Sequence, residues 1–355
     1  MMYSERYDRQ LRLAGFGLQA QEKLGEARVL VIGAGGLGCP ALQYLAAAGI
    51  GNIGIADDDT VSLSNLHRQI LYLTEDIGRS KVQVAASRLD KMNPEVRIRP
   101  HELRIGKENI VSLLEDYDYV IDGTDNFQTR YLINDSCALL AKPLVFAAIT
   151  GFTGQLAIFN IDLGDGAANY RDIFPLPPAA SEVPNCAENG VIGVLPGIIG
   201  TMAAAEVIKL ITGIGEALIN KLLQLDVLTW SQHILNIRPG SLSSSSPSEI
   251  PSSSDRGEYT DIDAAEMELL RQQADTLIID VRERHEQPEL KGEHIRQVPM
   301  SDFQDLLSED IPATHIIVMC QHGLRSRDAA EALQEKYGEK KQIYNLRGGI
   351  VRWMK

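Results

Sequence analysis

An α/β protein in two domains, a large one on a parallel sheet and a smaller one after it, is what three features of the sequence predict. Short β-branched runs alternate with helical patterns through residues 1–240, the mark of βαβ units around a parallel sheet covered on both faces. A Ser/Pro stretch, SLSSSSPSEIPSSS, has too little apolar surface to offset its own ordering entropy and reads as a flexible linker over residues 241–257. Beyond it, within 258–355, two buried-strand runs each lead into polar, helix-prone sequence.

The elements follow in order. RVLVIG at 28–33 is a strand, Cys39 to Ala48 a helix, NIGIAD at 52–57 a second strand and Ser80 to Met92 a second helix. YVIDGTDN at 119–126, PLVFAA at 143–148 and GQLAIFNI at 154–161 supply later strands. Gly197 to Ile211 has helical spacing, and the LLQLDVL and HILNI runs read as closing strands. In the small domain, LIIDV at 277–281 and HIIVMC at 315–320 are the strands.

The chain of 355 residues has 44% hydrophobic and 23% charged residues, a globular balance that excludes a disordered or fibrous protein. Lys and Arg number 34 against 48 Asp and Glu, and the net charge of −14 would repel a polyanion. Neither nucleic acid nor an acidic membrane is therefore an expected partner. The four cysteines, at 39, 137, 186 and 320, form no CxxC pair, and the first residues lack the apolar core of a signal peptide. A reducing cytoplasm is expected. The apolar run from Asn189 to Ala205 is broken by glycines and Pro196 and is shorter than the roughly 20 residues that span a bilayer, so no transmembrane helix is expected.

Gly33, Gly35 and Gly38, in GAGGLG, stand between a strand and a helix, where backbone amides and the positive helix end can face a phosphate. Asp57 ends the next strand, where a carboxylate can accept from ribose hydroxyls. These features alone would suit NAD. Arg68, Lys81 and Asp125, the last at the end of a later strand, suit a nucleoside triphosphate with magnesium better than a nicotinamide ring. ATP is the expected ligand. Singly, each has a bland reading: Arg68 and Lys81 as solvated charges, Asp125 with Asn126 as a helix N-cap.

Together, RYDRQ at 6–10, GAGGLG, DxDTVSLSNLxRQ, GxxK and TDN resemble the ordered motifs of the bacterial ubiquitin-activating-type adenylyltransferases, those of molybdopterin synthase and of the thiamine-pathway sulfur carrier. The resemblance covers nearly all of 3–238 and implies a Rossmann-like ATP-binding adenylation domain. It implies Gly36 and Asp57 at the adenosine and ribose, and Ser64, Asn65, Leu66, His67 and Arg68 with Lys81 at the triphosphate. It further implies magnesium on Asp125 and Arg9 reaching the phosphates of the neighbouring subunit in a homodimer. The implied substrate is the C-terminal Gly-Gly end of a ubiquitin-like sulfur carrier, whose carboxylate attacks the α-phosphate and expels pyrophosphate. Many relatives hold a structural zinc on two CxxC pairs. Here Asn169 and Asp172 occupy the first pair and the LDVLTWSQHILNIRP tail has no cysteine, so no zinc is expected and apolar packing is expected to hold that corner. A cysteine at the position of Cys186 can form a thioester with the activated carrier in relatives. Against such a role here, no His or Arg lies within several residues of Cys186 to activate it, and Glu188 lies near.

Cys320 ends a strand and opens CQHGLRS, a loop that surrounds the sulfur with amides and a helix N-terminus, while Arg325 adds positive charge; all favour a thiolate. CxxGxRS resembles the rhodanese active-site loop, and the likeness extends to DVRERHE at 280–286 and NLRGGIVRW at 345–353. HIRQVPM departs from the Gly-Ala turn usual after that histidine. The resemblance covers about 258–355 and implies a sulfurtransferase carrying a cysteine persulfide from a sulfur donor. Tethering raises the effective concentration of that persulfide near an acyl adenylate. The two resemblances together imply an enzyme that adenylates a sulfur carrier, the molybdopterin-synthase small subunit type favoured, and helps convert it to a thiocarboxylate. An NAD-dependent oxidoreductase with an appended rhodanese would leave Arg9, Arg68, Lys81 and Asp125 without a task. A noncatalytic scaffold binding a ubiquitin-like protein would not need those cations.

Overall fold

The computed structural model describes residues 5–164, 166–176, 190–240 and 259–353, the last stretch without 274, 285, 291, 293, 322 and 324. The chain divides into two compact units, one holding the described residues up to 240 and the other those from 259 onward. The expected linker at 241–257 and Cys186 lie outside the described residues.

The first unit is built on an eight-stranded sheet of order β3-β2-β1-β4-β5-β6-β7-β8. Its strands are β1 (Arg28–Ile32), β2 (Asn52–Ala56), β3 (Arg97–His101), β4 (Tyr119–Asp122), β5 (Leu144–Thr150), β6 (Thr153–Phe159), β7 (Lys221–Asp226) and β8 (Gln232–Asn236). The first five strands in that order are parallel, as expected of βαβ units. β6, β7 and β8 instead pair antiparallel. Only Gly151 and Phe152 join β5 to β6, too few for a crossover, and the chain must turn back as a hairpin. β3 is an edge strand of sequence RIRPH; its charges and Pro100 suit an edge and leave no apolar run to reveal it.

β1 is buried on both faces: Val29 and Val31 enter one hydrophobic cluster, Leu30 and Ile32 the other. Each such buried side chain contributes about 1.5–3 kcal/mol. The helices are α1 (Asp8–Leu11), α2 (Gly17–Glu26), α3 (Gly38–Ala48), α4 (Lys81–Met92), α5 (Ile110–Glu115), α6 (Phe127–Leu139) and α7 (Val194–Thr212). α3 ends on Gly49 in the left-handed region at φ +86°, the residue that can cap a helix there without strain. α7, at 19 residues, is long and apolar enough to cross a membrane by composition, and is half buried inside this unit. It packs against α3, β5 and β6, and carries the buried Glu206 in an ion pair with Lys209.

The second unit has a five-stranded, wholly parallel sheet of order β11-β10-β12-β13-β9. β10 (Thr276–Asp280) and β12 (His315–Met319) are the two strands legible in the sequence. β9 (Thr260–Ile262), β11 (Ile295–Gln297) and β13 (Gln342–Leu346) complete it, the first two short and polar at the edges. α8 (Ala264–Leu270), α9 (Phe303–Ser308), α10 (Arg325–Tyr337) and α11 (Gly349–Trp353) accompany the sheet.

Candidate active sites

The nucleotide loop begins where β1 ends. Gly33 takes φ +95°, and a Cβ there would lie 2.8 Å from the Gly123 carbonyl oxygen; a Cβ on Gly38 would lie 1.9 Å from the Gly33 oxygen. These two glycines let the turns after β1 and β4 touch. Gly36 faces α7, where its absent Cβ leaves room for Pro196 at 3.1 Å and for the Arg68 stem at 3.5 Å. Gly35 is less constrained, with the Gln69 amide nitrogen at 3.6 Å.

Ala34 fixes the loop. Its N–H donates to Asp57 Oδ2 at 2.7 Å, and its carbonyl accepts from Tyr72 at 2.8 Å and from the Cys39 thiol at 3.4 Å. Asp57 Oδ1 accepts from the Asp59 amide at 2.8 Å. Burial raises the Asp57 carboxyl above its usual range, against the pull of Lys81. Lys81 opens α4, is 4% exposed, and donates to Asp59 Oδ2 at 2.9 Å. Burial alone would lower it, but Asp57, Asp59 and Asp125 outweigh burial and hold it above its usual value. The bland reading of Lys81 as a solvated charge therefore fails: the cation is buried and has a carboxylate partner. Asp59, in the run of three aspartates, is the residue that sequence reasoning passed over.

Ser64 to Arg68 form one tight turn: Asn65 accepts the backbone amides of Arg68 and Gln69, and Leu66 packs on the core. Arg68 Nη1 reaches the Ser64 carbonyl at 3.0 Å and His67 Nε2 at 2.7 Å, and the residue stays half-exposed with its stem beside Gly36. Gln69 is buried beside Gly35, and its Oε1 has no hydrogen-bond partner among the described residues. Arg9 is exposed on α1.

Asp125 and Asn126 divide the two readings made of them. Asn126 caps α6, accepting from Thr129 at 2.8 Å, while the Asp125 carboxylate stays exposed and acts on Lys81. Beneath them lies a pair without a local signal. Asp122, fully buried, accepts from the Thr124 amide and hydroxyl at 2.9 and 2.6 Å, and Arg130 donates to the Thr124 carbonyl at 2.8 Å. Arg130 Nε stands 3.4 Å from Asp122 Oδ2, and its guanidinium lies 4.9 Å from the centre of the Phe146 ring. The pair clamps the residue that precedes Asp125. An exposed carboxylate facing a buried lysine at a phosphate-type loop fits a hard divalent cation that prefers oxygen ligands.

Asn169 and Asp172 form a capping box around a short turn, and Asp172 Oδ1 accepts from Gly240 at 2.9 Å. Tyr170, within that turn, packs among Phe146, Phe159, Phe174 and Tyr131. Aromatic packing holds this corner as expected, and hydrogen bonds hold it as well. Burial pushes the Cys39 thiol up to about 12 and that of Cys137 higher still, so neither is an available nucleophile.

In the second unit Cys320 lies at the end of β12, 1% exposed, and its Sγ accepts from the Gly323 amide at 3.1 Å. Gly323, at φ +84°, and Gly349 bring the two loops together: a Cβ on Gly323 would meet the Gly348 nitrogen at 2.7 Å, and one on Gly349 the Cys320 oxygen at 2.3 Å. The Ile350 amide also donates to the Cys320 carbonyl at 2.9 Å. Arg325, expected to lend its charge to the sulfur, donates both Nη atoms to Glu286 at 2.6 and 2.7 Å. Arg282, fully buried, binds Asp280 and reaches Gln321 at 3.4 Å. The three motifs thus converge on one loop, of which His322 and Leu324 lie outside the described residues.

A phosphate-type glycine loop with a buried lysine, followed by a separate unit presenting a cysteine loop, defines a two-site group-transfer enzyme, one site for a nucleotide and one for sulfur. The chain belongs to the ThiF family, whose model matches residues 7–245, and a rhodanese-like domain matches 263–355. It is 40% identical to the probable adenylyltransferase/sulfurtransferase MoeZ of Mycobacterium tuberculosis, over 99% of this chain and 92% of that one. To the adenylyltransferase and sulfurtransferase MOCS3 of Anopheles gambiae it is 38% identical, over 99% of this chain and 86% of that one. The sulfur carrier protein adenylyltransferase of Thermus thermophilus is 49% identical across 66% of this chain and 87% of its own. Among solved structures, Escherichia coli MccB with ATP matches at a TM-score of 0.60 and 23% identity, covering 68% of this chain and 74% of that one, a likeness of fold. The chain is a transferase with adenylyltransferase and sulfurtransferase activity.

Proposed function

We propose that the first unit adenylates the C-terminal glycine of a ubiquitin-like sulfur carrier and that the second supplies sulfur from a Cys320 persulfide to give the thiocarboxylate. The observation that carries the reading is the single loop on which Ala34, Asp57, Lys81 and Arg68 converge, with Asp125 acting on the same lysine. In the adenylation step two anions must approach, the carrier carboxylate and the α-phosphate, and Lys81 and Arg68 lower their repulsion. Magnesium held at Asp125 would neutralise further phosphate charge. Asp57 accepts from the ribose, and the Gln69 oxygen, without a partner among the described residues, offers a further acceptor beside the loop.

The enzyme works as a homodimer in which Arg9 serves the neighbouring subunit's phosphates. The exposed Leu13, Leu18, Leu63, Ile70 and Leu73 support an apolar contact of that kind. The carrier is of the molybdopterin-synthase small-subunit type, and the compartment is the cytoplasm. At Cys320 the terminal persulfide sulfur attacks the acyl adenylate and AMP leaves; an external thiol then cleaves the resulting acyl disulfide.

Carrier-dependent exchange of labelled pyrophosphate into ATP tests the first half, and Asp125→Ala should abolish it. No exchange with any ubiquitin-like carrier would refute it. For the second half, Cys320→Ala should lose thiocyanate formation from thiosulfate and cyanide while exchange survives; full activity in that variant would refute the role of Cys320.

A further inference from the structure

Gln69 stands beside the nucleotide loop with its backbone committed and its side chain uncommitted. Its N–H donates to the Asn65 carbonyl at 2.9 Å, and its carbonyl accepts from the Tyr72 amide at 3.1 Å. Tyr72 in turn donates its hydroxyl to the Ala34 carbonyl at 2.8 Å, which ties this turn to the glycine loop. The Gln69 residue is only 4% exposed, yet among the described residues neither Oε1 nor Nε2 has a hydrogen-bond partner.

A buried amide without a partner costs stability, and an apolar side chain of the same length avoids that cost. The backbone bonds already hold the turn, so the amide answers to a partner from outside these residues. Its placement says which kind. Nε2 lies 3.6 Å from the point where a Gly35 side chain would begin, and the Arg68 stem lies 3.5 Å from the same point on Gly36. Consecutive residues thus face consecutive glycines. Gly35 is the second glycine of the loop, the one past which a pyrophosphate approaches the backbone. Phosphate oxygens only accept, so they take the nitrogen end of the amide. Arg68 commits only Nη1 among the described residues, to Ser64 and His67, and keeps Nε and Nη2 for the same anion.

We infer that Gln69 is a nucleotide-binding residue whose amide nitrogen donates to a triphosphate oxygen over Gly35, beside the Arg68 guanidinium. This rests on the adenylation reading and deepens it, giving the triphosphate a neutral donor next to its cations.

The experiment compares the Kd of ATP and of adenosine, both with magnesium, for the full-length protein and for Gln69→Met, beside urea unfolding of each without nucleotide. Methionine keeps the length of the side chain and removes the amide. ATP should bind at least about tenfold more weakly, the loss of one hydrogen bond to a charged group, while adenosine binding stays unchanged. The urea midpoint should hold or rise, because the buried oxygen without a partner is gone. Unchanged ATP binding overturns the inference. So does an equal weakening of adenosine, the mark of a distorted loop, and so does a lower urea midpoint, the mark of an amide that holds the fold. Gln69→Glu repeats the test should methionine disturb the turn: it keeps the shape, removes the donor and sets a charge against the phosphates, so ATP alone should again weaken at least about tenfold. Failure of the adenylation reading is separate: wild-type protein would then bind no ATP, whereas equal ATP binding by wild type and Gln69→Met sinks this inference alone.

Discussion

Replacing Gly38 with alanine probes the nucleotide loop at its tightest point. The added Cβ would sit 1.9 Å from the Gly33 carbonyl oxygen and 3.0 Å from its carbon, both backbone atoms that cannot rotate away. A carbon and an oxygen rest at about 3.3 Å or more, so the turn must open by more than about 1 Å. Overpacking of that kind costs about 1–3 kcal/mol. The opening also displaces the amides of the GAGGLG turn, and a misplacement of about 1 Å lowers turnover roughly 100-fold. The assay is the kcat/KM of ATP–pyrophosphate exchange with carrier, beside urea unfolding of the same variant. Gly25→Ala is the matched control, for its Cβ would meet nothing within 4 Å in the last turn of α2. It should stabilise by about 0.5–1 kcal/mol and leave exchange untouched. Wild-type exchange and wild-type stability in Gly38→Ala would refute the argument that backbone contact sets this loop.

Arg130→Met should destabilise the first unit by about 3–5 kcal/mol in urea, because it leaves Asp122 charged and buried without its partner. At Glu286, burial alone would raise the carboxyl, but Arg325 and the Glu283 amide outweigh it and hold the group below its ordinary 4.5. That stabilisation is complete above pH 4.5 and lost as pH falls through the lowered value, so thermal melting of the second unit should drop there and Glu286→Gln should flatten the drop. Dialysis against a zinc chelator should leave the melting temperature of the first unit unchanged, since the capping box and the rings around Tyr170 hold the Asn169–Asp172 corner.

Much of both sites could be read from contiguous residues. β1, β2, β4 and β10 declare themselves by unbroken apolar runs, because strands buried on both faces tolerate nothing else. GAGGLG, Asp57 and the Cys320 loop are likewise local, each set by the turn that follows its strand. By contrast, β3 and β9 carry polar residues at sheet edges, where burial imposes no pattern on them.

What only the tertiary structure decided is which charges and dipoles meet. The antiparallel return of β6 depends on a two-residue turn, and the parallel β5 before it reads no differently in sequence. Lys81 finds Asp59 across 22 residues, Arg325 finds Glu286 across 39, and Asn345 finds Asp261 across 84. Such partners are chosen by sheet register and loop closure, which couple positions far apart in the chain. The sequence by itself determined the two domains and the chemical groups each would present, since period and motif are local properties. Whether a lysine stands solvated or buried against a carboxylate depends on the low-dielectric surroundings that exist only once the chain has folded.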